Sequence, residues 1–151
     1  MTIAASYQYQ LSLEWTGQRT GELTAEGLMP LQVAPPPEFK GPGGKWTPEH
    51  LLVAATASCL MTTFLAIAEI SKLAVLSLRM ECRGRLEKLP EEGYRFTEIA
   101  LVPEIGVAPE DEERAGKLLE KAERNCFISK SLRAAVQVEP RFVSIPAEIL
   151  R

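Results

Sequence analysis

Across residues 6–15 apolar and polar side chains alternate without a break. Tyr7, Tyr9, Leu11, Leu13 and Trp15 fall on one face, and Ser6, Gln8, Gln10, Ser12 and Glu14 on the other. A period of two predicts a half-buried strand. In "TGQRTGE", Gly17 and Gly21 predict a reversal into another strand near residues 23–33. The stretch "APPPEFKGPGGK" is a loop, because its prolines fix an extended backbone and its glycines interrupt regular structure.

The period then changes. Thr47, Pro48 and Glu49 supply a hydroxyl cap, a proline at the first helical position and an acid in the first turn, predicting a helix that runs to about residue 71. Leu51, Leu52, Val53, Leu60, Met61, Phe64, Leu65 and Ile67 make it apolar on nearly every side, which predicts a helix surrounded by other structure. Alternation resumes over residues 76–86 and puts Cys82 on the core side. "LPEEGY" then turns the chain into a strand over about residues 94–102. "PEDEERAGKLLEKAERN" is an amphipathic helix with Ala115, Leu118, Leu119 and Ala122 on one stripe. Asn125 and Cys126 end it, "ISKSLR" is a short turn, and a last strand covers about residues 135–145.

Length and charge bound the function. The 151 residues suit a single domain, 1–151, with a sizeable core. Seventeen basic against 20 acidic residues, with no basic cluster, give little electrostatic reason to bind nucleic acid or an anionic membrane. The N-terminus lacks a charged start followed by an apolar signal core, and no apolar run reads as long enough to cross a bilayer, so a cytoplasmic location is expected. Cys59, Cys82 and Cys126 are too few and too scattered for a secreted disulfide framework. In a reducing compartment they are packing, metal-binding or redox residues.

Most candidate chemistry drops out. "GPGGKWT" has Trp46 where a phosphate-binding loop needs Ser or Thr, and no C-x-x-C is present. His50 and the three cysteines lack the paired spacings of zinc sites, so no metal is expected, and His50 reads as a first-turn or interface residue. Cys59 and Cys126 remain. Only a thiolate is reactive, and Cys59 lies three turns into its helix, beyond the help of the helix dipole. It needs a cation. Arg19 is the one basic residue before Lys40, and Glu49 is a carboxylate that could balance it. On the residues alone, a packing Cys59, a solvated Arg19 and a plain first-turn Glu49 stay open.

"TPEHLLVAATASCLMTTF", with an acid ten residues before the cysteine, resembles the long central helix of the osmotically inducible protein C and organic hydroperoxide resistance (OsmC/Ohr) family. "NCFISKSLRAAVQV" is similar to that family's second cysteine motif, and "GQRTGE" to its arginine-bearing turn. Phe127 stands where the family commonly has proline, and Leu60 where it often has an aromatic. The resemblance implies an α+β fold of antiparallel sheets around a long central helix in an intertwined homodimer. It also implies thiol-dependent reduction of organic hydroperoxides, with Cys59 as the peroxidatic thiolate, Cys126 as the resolving thiol, Arg19 stabilising charge and Glu49 holding Arg19. The implied reductant is an external dithiol, in the family often a lipoyl group, with no bound cofactor. A non-catalytic dimeric binding module of the same fold is the alternative. Ten helical residues span about 15 Å, so Glu49 and Cys59 of one chain cannot touch directly, and Arg19 and Glu49 are expected to serve Cys59 of a second subunit.

Overall fold

The computed structural model describes residues 2–150, so Met1 and Arg151, the ends of the expected domain, lie outside the described residues. The chain divides into two compact units, Met1–Leu51 and Leu52–Arg151.

In the first unit β1 (Ser12–Gly17), β2 (Thr20–Thr24) and β3 (Leu31–Val33) form an antiparallel sheet in that order. Gly17 pairs with Thr20, so the β1–β2 loop is Gln18-Arg19 and the reversal falls where the glycines predict it. Two expectations are corrected. The strand expected over residues 6–15 begins only at Ser12, and its apolar face is not half-buried: Tyr9 is 94% and Trp15 74% exposed. Alternation reports that a face is apolar, and among the described residues nothing covers it. The strand expected over residues 23–33 is two strands. A turn closed by the Leu28 N–H on the Ala25 carbonyl (3.1 Å) separates them, where Gly27 and Pro30 interrupt the ladder.

Helix α1 (Pro48–Ile70) matches its predicted span, and its first turn belongs to the first unit. Thr47 Oγ1 accepts the His50 N–H at 3.0 Å, the capping bond that the Thr-Pro-Glu start implies. α1 is not surrounded, however. Burial follows a single stripe, Thr56, Leu60, Phe64 and Ala68, while Leu65 and Ile70 are exposed. The expectation that no run could cross a bilayer is also corrected, since α1 has 23 residues and contains an 18-residue stretch of mean hydropathy 2.1, long and apolar enough by length and composition alone. Core helices of soluble proteins meet the same test.

The second unit is built on a hairpin of β4 (Ser77–Leu89) and β5 (Gly93–Val107), followed by α2 (Glu112–Asn125), the single-turn α3 (Phe127–Lys130), β6 (Ala135–Val138) and β7 (Arg141–Ser144). β6 and β7 both run parallel to β5, so this sheet is mixed and not antiparallel as expected. The reason is topological: a return through helices brings the chain back in the same direction. The two short strands follow one another along one edge of β5, so the strand expected over residues 135–145 is broken at Glu139-Pro140. Pro103 of β5 falls in the gap between the two pairings, where its missing N–H is not required.

The core joins the α1 stripe to β5 and α2: Leu60 and Phe64 cluster with Ile99, Leu101, Ile105, Ala115 and Leu119. α1 passes close over β4 at Gly84. A Cβ there would lie 2.6 Å from Val53 Cγ2 and 2.7 Å from Phe96 Cε1, so glycine sets the approach of helix to sheet. Phe64 is fully buried at the centre of this cluster. Phe64→Ala is expected to lower unfolding stability by about 3–5 kcal/mol. Urea titration checks this through a reduced midpoint at unchanged slope.

Candidate functional site

Cys59 is half-buried on α1, one turn before Thr63, whose Oγ1 lies 4.0 Å from the thiol sulfur. Cys126 sits between α2 and α3 and is fully buried. Its extended backbone (φ −72°, ψ 111°) ends α2 and starts α3 within one residue. Buried Ala115, Leu119 and Ala122 recur at spacings of four and three, and Cys126 continues that stripe after four more, so α2 packing pulls the thiol inward.

Burial alone pushes the Cys59 thiol up, but hydrogen bonds to its sulfur outweigh this and hold it below the ordinary thiol value. They come from the Ile128 backbone amide, the Cys126 thiol, the Thr63 hydroxyl and the Phe127 backbone amide. The two amides open α3, where backbone N–H groups have no partner inside the helix. The Cys126 sulfur in turn accepts the Ser129 hydroxyl at 3.2 Å. Cys82 behaves oppositely: it packs against the core, its thiol points to the Met80 carbonyl at 3.9 Å, and burial pushes it up. All three cysteines are free thiols. The arrangement can therefore present one thiolate beside a second thiol that favours it.

The other two expected site residues lie in the first unit. Arg19 and Glu49 line an open groove of about 570 Å³ whose walls include Leu13, Trp15, Val33, Pro36 and Phe39. Arg19 is exposed, and its Nη1 donates to the Phe39 carbonyl at 3.1 Å. Glu49 Oε2 is buried without a hydrogen-bond partner among the described residues. The Pro-rich loop holds this wall tightly, since a Cβ at Gly41 would lie 1.6 Å from the Pro35 carbonyl oxygen. His50 is engaged with the helix cap, its Nδ1 lying 2.8 Å from Thr47 Oγ1.

The four expected residues thus fall into two groups, Cys59 and Cys126 in the second unit and Arg19 and Glu49 along one groove of the first. The sequence reading missed Thr63, Ser129 and the amides of Phe127 and Ile128. Two signals could have found them. Thr63 is four residues from Cys59 on one helix, the spacing of neighbouring side chains. A cysteine that ends one helix and caps the next necessarily stands beside unpaired amides.

A family model described as OsmC-like protein matches residues 41–141. The uncharacterized protein YmaD of Bacillus subtilis is 29% identical over 140 residues, covering 89% of this chain and 93% of its own length. An OsmC-like protein of unknown function from Vibrio cholerae superposes with a TM-score of 0.82 at 22% identity, over 89% of this chain and 99% of that one. An organic hydroperoxide resistance protein from Legionella pneumophila superposes with a TM-score of 0.71 at 28% identity, over 93% of this chain and all of that one (100%).

The opposed environments of Cys59 and Cys82 separate their reactivities. In a pH series with iodoacetamide, Cys59 is expected to alkylate at pH values where Cys82 does not, because its thiolate persists below the ordinary thiol value while burial delays ionisation of Cys82. Peptide mass spectrometry of each cysteine checks the order, and earlier labelling of Cys82 contradicts it.

Proposed function

The chain belongs to the OsmC-like protein family, and from that premise we propose that it is a thiol peroxidase that reduces organic hydroperoxides to alcohols. The observation that carries the reading is the Cys59 sulfur, held toward its thiolate form by two α3 amides and adjoined by a second thiol. The Legionella pneumophila relative supports it by its description as an organic hydroperoxide resistance protein and predicted redox protein.

In the proposed cycle the Cys59 thiolate attacks one oxygen of the hydroperoxide, the O–O bond breaks, and the second oxygen leaves with the alkyl group and takes up a proton as the alcohol. Cys59 is left as a sulfenic acid. The Cys126 thiol attacks it, forming the Cys59–Cys126 disulfide and releasing water. An external dithiol, such as a lipoyl group, restores both thiols by exchange and is itself oxidised to a disulfide.

The groove bearing Arg19 and Glu49 supplies the remaining parts. Its apolar walls suit the alkyl portion of a hydroperoxide, and a guanidinium is a charged donor suited to the departing alkoxide. Glu49, with an unpartnered buried oxygen, is the acceptor proposed to hold Arg19. We place this groove of one subunit against Cys59 of its twin in a homodimer of single-domain chains. The exposed apolar faces of β1 and α1 support that pairing. Three free thiols suit the reducing cytoplasm.

Consumption of cumene hydroperoxide in the presence of dithiothreitol tests the proposal. Wild type is expected to turn over, and Cys59→Ser to lose at least about 10³-fold in rate, as removal of a covalent nucleophile does. Peroxide-treated protein is expected to carry a Cys59–Cys126 bridge with Cys82 unpaired. Equal, low rates for wild type and variant would instead make the chain a binding module that uses the groove alone.

A further inference from the structure

Ser129 is half-buried on α3 and donates its hydroxyl hydrogen to the Cys126 sulfur at 3.2 Å. Cys126 is fully buried, so water cannot stand in for that hydroxyl. The Cys126 thiol is in turn near enough to the Cys59 sulfur to favour its thiolate. Three groups therefore stand in series, hydroxyl to thiol to thiol, and the first has no role in the cycle proposed above.

We infer that Ser129 is a positioning residue that acts through Cys126: its hydroxyl orients the Cys126 S–H toward the Cys59 sulfur in the reduced protein and supports negative charge on Cys126 during disulfide closure. The direction of the Ser129 bond carries the argument. A sulfur that accepts from Ser129 has its own hydrogen free to point elsewhere, and Cys59 is the neighbouring thiol on which Cys126 acts. When Cys59 has become a sulfenic acid, Cys126 must give up that proton and attack. The S–S bond forms, the S–O bond breaks, and the hydroxyl leaves as water with the Cys126 proton. Charge then builds on a sulfur sealed from solvent, and the Ser129 hydroxyl already points at it. A bond from a neutral hydroxyl to an ionised group strengthens relative to the same bond to a neutral thiol, so the contact favours the transition state over the ground state.

The inference rests on the thiol-peroxidase reading for its second half only, because orientation of Cys126 toward Cys59 requires no peroxide. The test uses the full-length protein reduced with dithiothreitol and desalted, comparing wild type with Ser129→Ala, Ser129→Val and Ser129→Thr. Val and Thr have the same shape and differ by the hydroxyl. In the first measurement, the pH midpoint of Cys59 alkylation is expected to move up by roughly one pH unit in Ala and Val and to return in Thr. In the second, one equivalent of cumene hydroperoxide is added and disulfide closure is followed against dimedone trapping of the sulfenic acid. Closure is expected to slow about tenfold in Ala and Val, with more trapped Cys59, and to recover in Thr.

Unchanged midpoints and closure rates in folded Ala or Val overturn the inference, as does a loss in Thr equal to that in Val. If wild type forms no sulfenic acid at Cys59, the peroxidase reading fails, and the alkylation midpoints still decide the orienting role of Ser129. Should Ala misfold, the Val and Thr pair decides alone.

Discussion

A thiolate in the middle of an α-helix cannot be stabilised by that helix's backbone. The backbone amides around Cys59 are committed to carbonyls one turn earlier, and the dipole at the start of α1 is three turns away. Beyond the Thr63 hydroxyl one turn on, donors must come from another element, and within a packed chain free amides exist chiefly where a helix begins. α3 meets this demand with only four residues: the amides of Phe127 and Ile128 and the Cys126 thiol all act on one sulfur. The position of α3 is therefore the constraint on which the chemistry of the second unit depends.

What fixes α3 is the packing of α2. Ala115, Leu119 and Ala122 are buried against Ile99, Leu101 and Ile105 of β5, and Cys126 continues the same buried stripe. The small alanines let α2 lie close to the sheet, and the extended backbone at Cys126 ends one helix and starts the next. The parallel return of β6 then ties the far end of the segment to β5 through Glu98–Leu101. One continuous run of chain thus carries the second thiol, the amide donors and the Ser129 hydroxyl, held at both ends by the central strand. A shift of α2 would move all of them together.

Much of this was legible in the sequence wherever a local rule acts alone. The Thr47-Pro48-Glu49 start, the alternating β4, the turn over residues 90–92 and the α2 stripe each follow from cap chemistry, turn chemistry or periodicity. The misses share a cause. Periodicity shows that residues such as Tyr7, Tyr9 and Trp15 lie on one side, but what covers them depends on the rest of the assembly. Likewise the direction of β6 and β7 depends on where the crossover returns, and a local pattern contains no such information. Cys59 shows the same limit at the site. Its residue type and spacing singled it out, while three of the four groups that favour its thiolate come from 67 to 69 positions later and two of those are backbone, invisible to any reading of side chains.

The uncovered apolar surface bears on how the two residue pairs are used. α1 is apolar along its length yet buried on a single stripe, and β1 presents Leu13 and Trp15 to solvent. Crossing a bilayer would relieve α1 but not β1, and it would require Leu60 and Phe64 to leave the core they fill with β5 and α2. A second copy of the chain relieves both surfaces without disturbing that core, since each copy brings the same exposed faces and a two-fold pairing lets one patch cover its twin. The same argument extends to Arg19. Among the described residues the guanidinium donates to the Phe39 carbonyl and Glu49 retains a buried, unpartnered oxygen, so the groove has donor and acceptor capacity left over. An assembly that closes the apolar faces also lowers the local dielectric, and a guanidinium there acts more strongly on a developing alkoxide than it can in water. On the function proposed above, association is the step that brings the Arg19 charge of one copy into use by the thiols of the other.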